Sequence, residues 1–493
     1  MPIFTPGARW QRPFTPFHRE PLGKRLLAGL ERAVKGPLFG CRMCGNCLLQ
    51  ETAFICPMAC PKGLRNGPCG GSTPERCYVD ESRPCIWYEI FDRSFRMGRQ
   101  DMLLEVLPPL DWDKVGTETW GDVIGSAHRI GLGKVFTGLT SRDAHTRAHT
   151  WDSIFRPVRQ PAWWGGDSKY HPPAYSEPIS ELERRLKAGE FVVTTEIASP
   201  SSAATGRLER TLERVKPYVT AVNFTDGSVA TAHMASMACA EIALRHGVEP
   251  IMQLAGRDRS RTGFQGDAIG ASALGIHNLL CLTGDSPAVG PAPKGRIDYV
   301  DLESVQMVWI LRRMRDEAVL LDGRKLSSPP KVFIGAAASP YSSRPEFQAL
   351  REQKKVNAGT QFFQTNLVFD LDGLEVWLNH LAHRAVLGKV HILIGITPLK
   401  SAKMAAYLHH DVPGITLPDS ILRRMQAAGD GESEEGVQIA LELIEKVRSL
   451  QGVSGIHLMA MSWEDIVPRI VAEAGLMKPA AVAASGGSGT RLS

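Results

Sequence analysis

From Ser180 to the late 470s the chain alternates short apolar runs with longer stretches of helical amphipathic period. That alternation specifies parallel strands joined by crossover helices. The apolar runs predict strands at Phe191–Ala198, Ala221–Thr225, Pro250–Ala255, Asn278–Thr283, Val332–Ala338, Gln361–Phe369, Val390–Ile396 and Gly455–Met461. Between them the pattern predicts helices, among them Leu208–Tyr218, Ala232–His246, Ser304–Glu317, Glu346–Ala358, Leu374–Leu387 and Glu434–Leu450. This succession fits an α/β fold of the closed (β/α)8 TIM-barrel type better than an open sheet. No GxGxxG joins a strand to a helix, so no Rossmann site is expected.

Upstream the pattern changes character. Residues 1–40 are rich in Arg, Lys and Pro and read as an N-terminal arm, residues 41–97 as a small cysteine-rich domain, and residues 98–180, with their paired prolines and glycines, as a connector wrapping another domain. Trp87–Arg93 reads as an aromatic helix packing over the cysteine-rich lobe. The barrel is expected over 181–480, followed by a flexible tail at 481–493.

Composition narrows the function classes. The 493 residues are 43% hydrophobic and 22% charged, typical of a globular chain of more than one domain. A net charge of +5, from 57 basic and 52 acidic residues, gives no whole-chain argument for nucleic acid. No apolar run reaches membrane-spanning length, and Met1–Arg32 lacks the apolar core of a signal peptide, so a cytoplasmic chain is expected.

The cysteines change the picture most. Eight of the ten lie between Cys41 and Cys85: Cys41-x2-Cys44-x2-Cys47, then Cys56-x3-Cys60-Pro61, Cys69, Cys77 and Cys85. Such tight turns let thiolates converge on one metal or cluster, and eight thiols suit two four-ligand sites. Iron–sulfur ligation is the leading reading and structural zinc the alternative, since no His lies within the run; disulfides need an oxidising compartment and come last. Spacing alone leaves open which four thiols share a site. Cys239 and Cys281 stand in apolar runs and read as core.

In a barrel of this kind the chemistry gathers at the C-terminal strand ends. These carry Thr195-Glu196, Asn223-Phe224-Thr225-Asp226, Gln253-Leu254-Ala255 followed by Arg257, Arg259 and Arg261, Thr283-Gly284-Asp285, Ser339, Gln364-Thr365-Asn366 and Thr397. Carboxylates, arginines and amides around one mouth suit an anionic, heterocyclic ligand, and alternating arginines match a phosphate grip.

These residues resemble a known family. On Thr195-Glu196, Leu282-Thr283-Gly284-Asp285 and Lys355-x2-Ala358-Gly359, the barrel is similar to methylenetetrahydrofolate reductase, a flavin-dependent (β/α)8 enzyme. On Cys56-Pro57-x2-Cys60-Pro61-Lys62 and Asn66-Gly67-Pro68-Cys69-Gly70-Gly71, the lobe resembles the cysteine-rich domain of the family's bacterial and archaeal forms or of their partner subunit. The resemblance implies hydride transfer from reduced flavin to 5,10-methylenetetrahydrofolate, giving 5-methyltetrahydrofolate. It puts the catalytic acid at Glu196, kept protonated by a partly apolar site, and an aspartate near the flavin at Asp285, where it also stabilises the cationic folate.

It further implies flavin contacts at Thr225, Gln253, Ala255 and Gly284, with Gly284 letting the isoalloxazine approach the backbone. Lys355 falls on a cofactor-phosphate lysine, and Arg257 joins it from the strand-end reading. Asn366 stands where the family has a pterin-binding glutamine, and Ser339 where it has a tyrosine. The implied cofactors are FAD, with FMN as the alternative, and [4Fe-4S] clusters or zinc on Cys41, Cys44, Cys47, Cys56, Cys60, Cys69, Cys77 and Cys85. Electrons come from NAD(P)H or a ferredoxin-type donor, and the expected partners are the folate substrate, an electron-donor protein and a second copy of the chain. The runner-up readings are a corrinoid- or folate-linked methyltransferase barrel with a structural metal module, and an electron-transfer adaptor for a separate reductase.

Overall fold

The computed structural model describes residues 14–16, 18–286, 290–291 and 300–477. The tail at 481–493 and the first part of the arm lie outside the described residues.

Eight parallel strands close in sequence order into a barrel. They are β1 (Val192–Ile197), β2 (Ala221–Phe224), β3 (Pro250–Ala255), β4 (Asn278–Leu282), β5 (Phe333–Ala338), β6 (Phe362–Leu367), β7 (His391–Ile396) and β8 (Val453–Leu458). β8 returns to β1 with Val192 opposite Gly455 and Thr195 opposite Leu458. Every strand falls on a predicted apolar run, with ends shifted by up to three residues.

The barrel interior is layered. At the floor Val192, Ala221, Ile251, Leu280, Phe333, Phe362 and Leu393 pack together, and the helix Glu181–Lys187 plugs them from below with Leu182 and Leu186. One layer up the interior is polar but satisfied. Asn223 and Gln364 exchange amide hydrogen bonds at 2.6 and 3.1 Å, and Thr194 Oγ1 and His457 Nδ1 lie 3.0 Å apart beside them. Buried polar groups persist at such depth only when paired in this way. Above that layer the barrel opens into the mouth.

The stretch read as a connector holds three helices, Trp120–Ile130, Leu132–Leu139 and Ala144–Arg159, packed on one another. Its prolines mislead because none occurs between Leu110 and Arg156, and Pro157 falls only in the last turn of the third helix. Past them, Trp164 enters the barrel's outer core against Trp309, with ring centroids 3.9 Å apart.

The aromatic helix forms at Ile86–Arg96 and does more than cover the lobe. Trp87, Tyr88, Ile90 and Phe91 share a buried cluster with Phe347 and Leu350 of the barrel helix Pro345–Ala358. Phe91 stacks on Phe347 with centroids 4.3 Å apart and planes 14° from parallel. A polar seam continues the joint. Asn66 Nδ2 donates to Leu107 O at 3.0 Å and to Glu303 Oε1 at 2.6 Å, and Asn66 Oδ1 accepts from Leu107 N at 2.7 Å. Lys354 donates to Asn66 O at 3.4 Å, and its burial pulls its pKa down to about 7 against the attraction of Glu303. The lobe is therefore fixed to the barrel by both aromatic packing and buried hydrogen bonds.

Candidate functional site

The strand ends and the cysteine lobe together line one cavity of about 550 Å³ at the barrel mouth. Glu196, Thr225, Gln253, Ala255, Arg257, Gly284, Asp285, Lys355 and Asn366 all border it. Glu196 Oε2 accepts from Gln253 Nε2 at 3.0 Å and lies 3.9 Å from His457 Nε2. Its neighbours are thus an amide and an imidazole, in place of the partly apolar surroundings expected. His457 stands at the end of β8, whereas the expected strand Gly455–Met461 places it near a strand start, so the register shift of that strand hid it.

The Gly284–Asp285 turn is held from several sides. Gly284 has φ +81°, and a Cβ there would meet Ala255 and Arg257 side chains at 3.3 and 3.2 Å, so the barrel's own packing already demands glycine. Arg257 Nη1 donates to Asp285 O at 3.3 Å, and Arg257 Nη2 to Gly227 O at 2.9 Å. From the lobe, Lys62 Nζ donates to Gly284 O at 2.6 Å and Tyr78 Oη to Asp285 Oδ1 at 3.3 Å.

The alternating arginines separate. Only Arg257 borders the cavity. Arg259 is tied to Asp226 and Asp267, and Arg261 to Asp301 and the Leu110 carbonyl. Those two brace loops instead of forming the expected phosphate grip. Lys355 reaches the cavity with its charge matched by Glu352 at 2.9 Å and its ammonium bonded to Ala337 O at 2.6 Å. Burial lowers its pKa. Cations unforeseen at this mouth are Lys62 and Arg351. Asn366 Nδ2 donates to Gly414 O at 3.3 Å.

Below the roof of this cavity the eight lobe thiols divide into two sets around two small enclosed cavities. Cys41, Cys44, Cys47 and Cys56 line one, with Glu31 and Lys35 of the helix Leu22–Phe39. Cys60, Cys69, Cys77 and Cys85 line the other. Burial raises the Cys56 and Cys60 thiols to about 12 and the Cys85 thiol to about 11, and the neighbouring thiolates that push each of these three further up belong to its own set. Gly45, between Cys44 and Asn46, has φ +73°, and a Cβ there would lie 1.9 Å from Lys114 O, so the second CxxC turn, Cys44–Cys47, requires glycine. Among the described residues no three His, Cys, Asp or Glu side chains draw together on a single metal-ion position. Cys69 borders both its own thiol cavity and the barrel mouth.

Against known proteins, the family model described as Methylenetetrahydrofolate reductase matches residues 181–475. The chain belongs to the methylenetetrahydrofolate reductase family. A second family model, described as Methylene-tetrahydrofolate reductase C terminal, matches residues 21–113, so in this reductase-family chain a unit named for a C terminus precedes the barrel. That match takes in the helix Leu22–Phe39 along with all eight lobe thiols.

A search of curated proteins returns no match. Among solved structures, an uncharacterized protein from Clostridium thermocellum, described as binding two copies of 5-methyl-5,6,7,8-tetrahydrofolic acid, is 16% identical with a TM-score of 0.45, covering 60% of this chain and 97% of its own. Tryptophan synthase from M. tuberculosis is 11% identical with a TM-score of 0.33, covering 60% of this chain and 96% of its own. Among the described residues no helix is long and apolar enough to cross a membrane.

Proposed function

We propose that the chain reduces 5,10-methylenetetrahydrofolate to 5-methyltetrahydrofolate at the barrel mouth, on a bound flavin. One observation carries this reading: Glu196 and Asp285 face a single cavity of about 550 Å³, in a barrel matched by the reductase family model. A cavity of that size lies in the range of small-molecule and cofactor sites. The residues fit a flavin: the amide of Gln253, the hydroxyl of Thr225 and the Gly284 turn offer hydrogen bonds to a heterocycle, Lys62 and Arg351 offer positive charge to phosphates, and Lys355 and Arg257, already paired with Glu352 and Asp258, offer N–H donors to them. FAD is the cofactor we assign, with FMN as the alternative. When bound, the flavin supplies the hydride.

The chain's own residues do the rest. Opening the folate's five-membered ring needs a proton at the departing nitrogen, and the Glu196 carboxyl holds that proton, oriented by the Gln253 amide. Asp285, fixed on its turn, offers negative charge to the cationic folate that ring opening produces. Asn366 borders the same cavity and contributes an amide to the pterin.

The two thiol sets fit iron–sulfur clusters. Each is made of four cysteines with no imidazole among them, a ligand set that suits a cluster, with structural zinc as the alternative. Such clusters relay electrons, and Cys69, shared with the barrel cavity, supports delivery into the mouth from a ferredoxin-type donor; NAD(P)H acting directly at the mouth is the alternative.

The test is Glu196→Gln, which keeps size and hydrogen bonding but delivers no proton. Folate reduction is expected to fall by about 10²–10⁴ while reduction of the bound flavin by its donor is nearly unchanged. Equal loss in both half-reactions, measured by stopped flow, overturns the assignment of Glu196 as the acid.

A further inference from the structure

The barrel mouth of this chain is not built by the barrel alone. Two side chains of the cysteine lobe cross to the Gly284–Asp285 turn: Lys62 Nζ reaches Gly284 O at 2.6 Å, and Tyr78 Oη reaches Asp285 Oδ1 at 3.3 Å. They come from more than 200 residues away in the chain, 222 and 207 positions respectively. Both border the same cavity as Glu196.

Tyr78 is itself held in place within the lobe. Its backbone N–H donates to Ser72 Oγ at 3.1 Å, and Ser72 Oγ lies 3.4 Å from Cys69 Sγ. Tyr78 also follows Cys77 directly, so the cysteines of the second thiol set flank it in sequence and through Ser72. A tyrosine placed so firmly, with its hydroxyl on a carboxylate at a cavity wall, is poorly explained as surface filling. A donor on one carboxylate oxygen selects one orientation of the group and leaves the other oxygen to the ligand.

We propose that Tyr78 is a positioning residue of the barrel site, orienting the Asp285 carboxylate from the lobe, with Lys62 fixing the turn that carries it. The lobe is then a structural part of the binding site as well as a carrier of metal, and the barrel without it has an unsteered Asp285. The inference rests on the proposed folate site for its substrate. The contacts it draws on are independent of which reaction occurs there.

The experiment is a double-mutant cycle on the full chain, with Tyr78→Phe, Asp285→Asn and the pair. Phe retains the ring and its packing and removes only the hydroxyl. Loss of one hydrogen bond to a charged group predicts a fall in kcat for 5,10-methylenetetrahydrofolate of about 10–150-fold with KM changed by less than about threefold, and an unchanged melting temperature. In the Asp285→Asn background the same change is expected to have almost no further effect, because the acceptor charge it serves is gone. Equilibrium binding of 5-methyltetrahydrofolate to the same four proteins gives a readout that needs no turnover, and the same non-additivity is expected there. Should Tyr78→Phe fail to fold, Tyr78→Leu, which likewise removes the hydroxyl that meets Asp285, runs the same cycle.

Effects of Tyr78→Phe and Asp285→Asn that multiply independently, or a loss seen only as lowered melting temperature, overturn the positioning role. A wild-type protein that does not reduce the folate, yet shows the non-additive binding cycle, removes the proposed reaction and leaves Tyr78 in its role.

Discussion

Replacing Asn66 with alanine tests the joint between lobe and barrel. The side chain is 4% exposed and makes three hydrogen bonds, two with the Leu107 backbone and one to the Glu303 carboxylate. Alanine strands the Leu107 N–H at about 1–3 kcal/mol and removes a charge-assisted bond of about 1.5–3 kcal/mol, while Gln306 Nε2 still donates to the Leu107 C=O at 3.2 Å, so after partial relaxation the loss should be about 2–5 kcal/mol. A whole domain is stable by only about 5–15 kcal/mol, so the joint should loosen measurably. Hydrogen exchange of the peptide containing Leu107 reads the joint itself, and denaturant unfolding reads the energy.

Asn66→Asp sharpens the test. It turns a donor facing Glu303 Oε1 at 2.6 Å into an acceptor, so two buried carboxyls must share a proton. Burial already raises Glu303, and the new neighbour raises the pair further above its unfolded values. More protons are then bound folded than unfolded, so the variant's stability is complete below the ordinary carboxylate range and is lost as pH rises through the raised pKa. The deficit relative to wild type should be smaller at pH 5 than at pH 8. A cost below about 1 kcal/mol with unchanged exchange at Leu107, or a deficit independent of pH, would refute the reasoning.

Two further outcomes are expected. Cys44→Ser and Cys85→Ser should each remove about half of the bound metal, the pair nearly all of it, because each set of four folds around its own centre; full metal retention in either single variant, by elemental analysis of anaerobically purified protein, removes that cysteine from its set. Lys355→Met should cost about 3–5 kcal/mol as well as flavin, because it leaves buried Glu352 unpaired, whereas Arg351→Ala should lose flavin with little change in melting. The same outcome for both, by thermal melting and flavin release, contradicts the distinction drawn between them.

The sequence reached the strand-end chemistry for a local reason. A strand's register fixes which residue stands at its C-terminal end, so Glu196, Thr225, Gln253 and Asp285 could be assigned to one mouth before the barrel was seen. The fate of a charged side chain is not local in that sense. Arg257, Arg259 and Arg261 look alike along the chain and each is paired with an aspartate, Asp258 for the first, Asp226 and Asp267 for the second and Asp301 for the third, and only the fold shows that Arg257 alone of the three borders the cavity.

What the sequence determined by itself was periodic or covalently close: the eight strands, the barrel they close, and the existence of an eight-thiol lobe, because hydrophobic period and CxxC spacing act over a few residues. What only the tertiary structure decided was non-local. The thiols divide as Cys41, Cys44, Cys47, Cys56 and Cys60, Cys69, Cys77, Cys85 through the folding of the lobe itself, and Lys62 and Tyr78 meet the Asp285 turn because Asn66, Trp87 and Phe91 seat the lobe on the barrel. Burial and pairing across some two hundred residues leave no periodic mark in the chain, since a contact made by packing depends on where both partners are carried and not on what stands beside either of them.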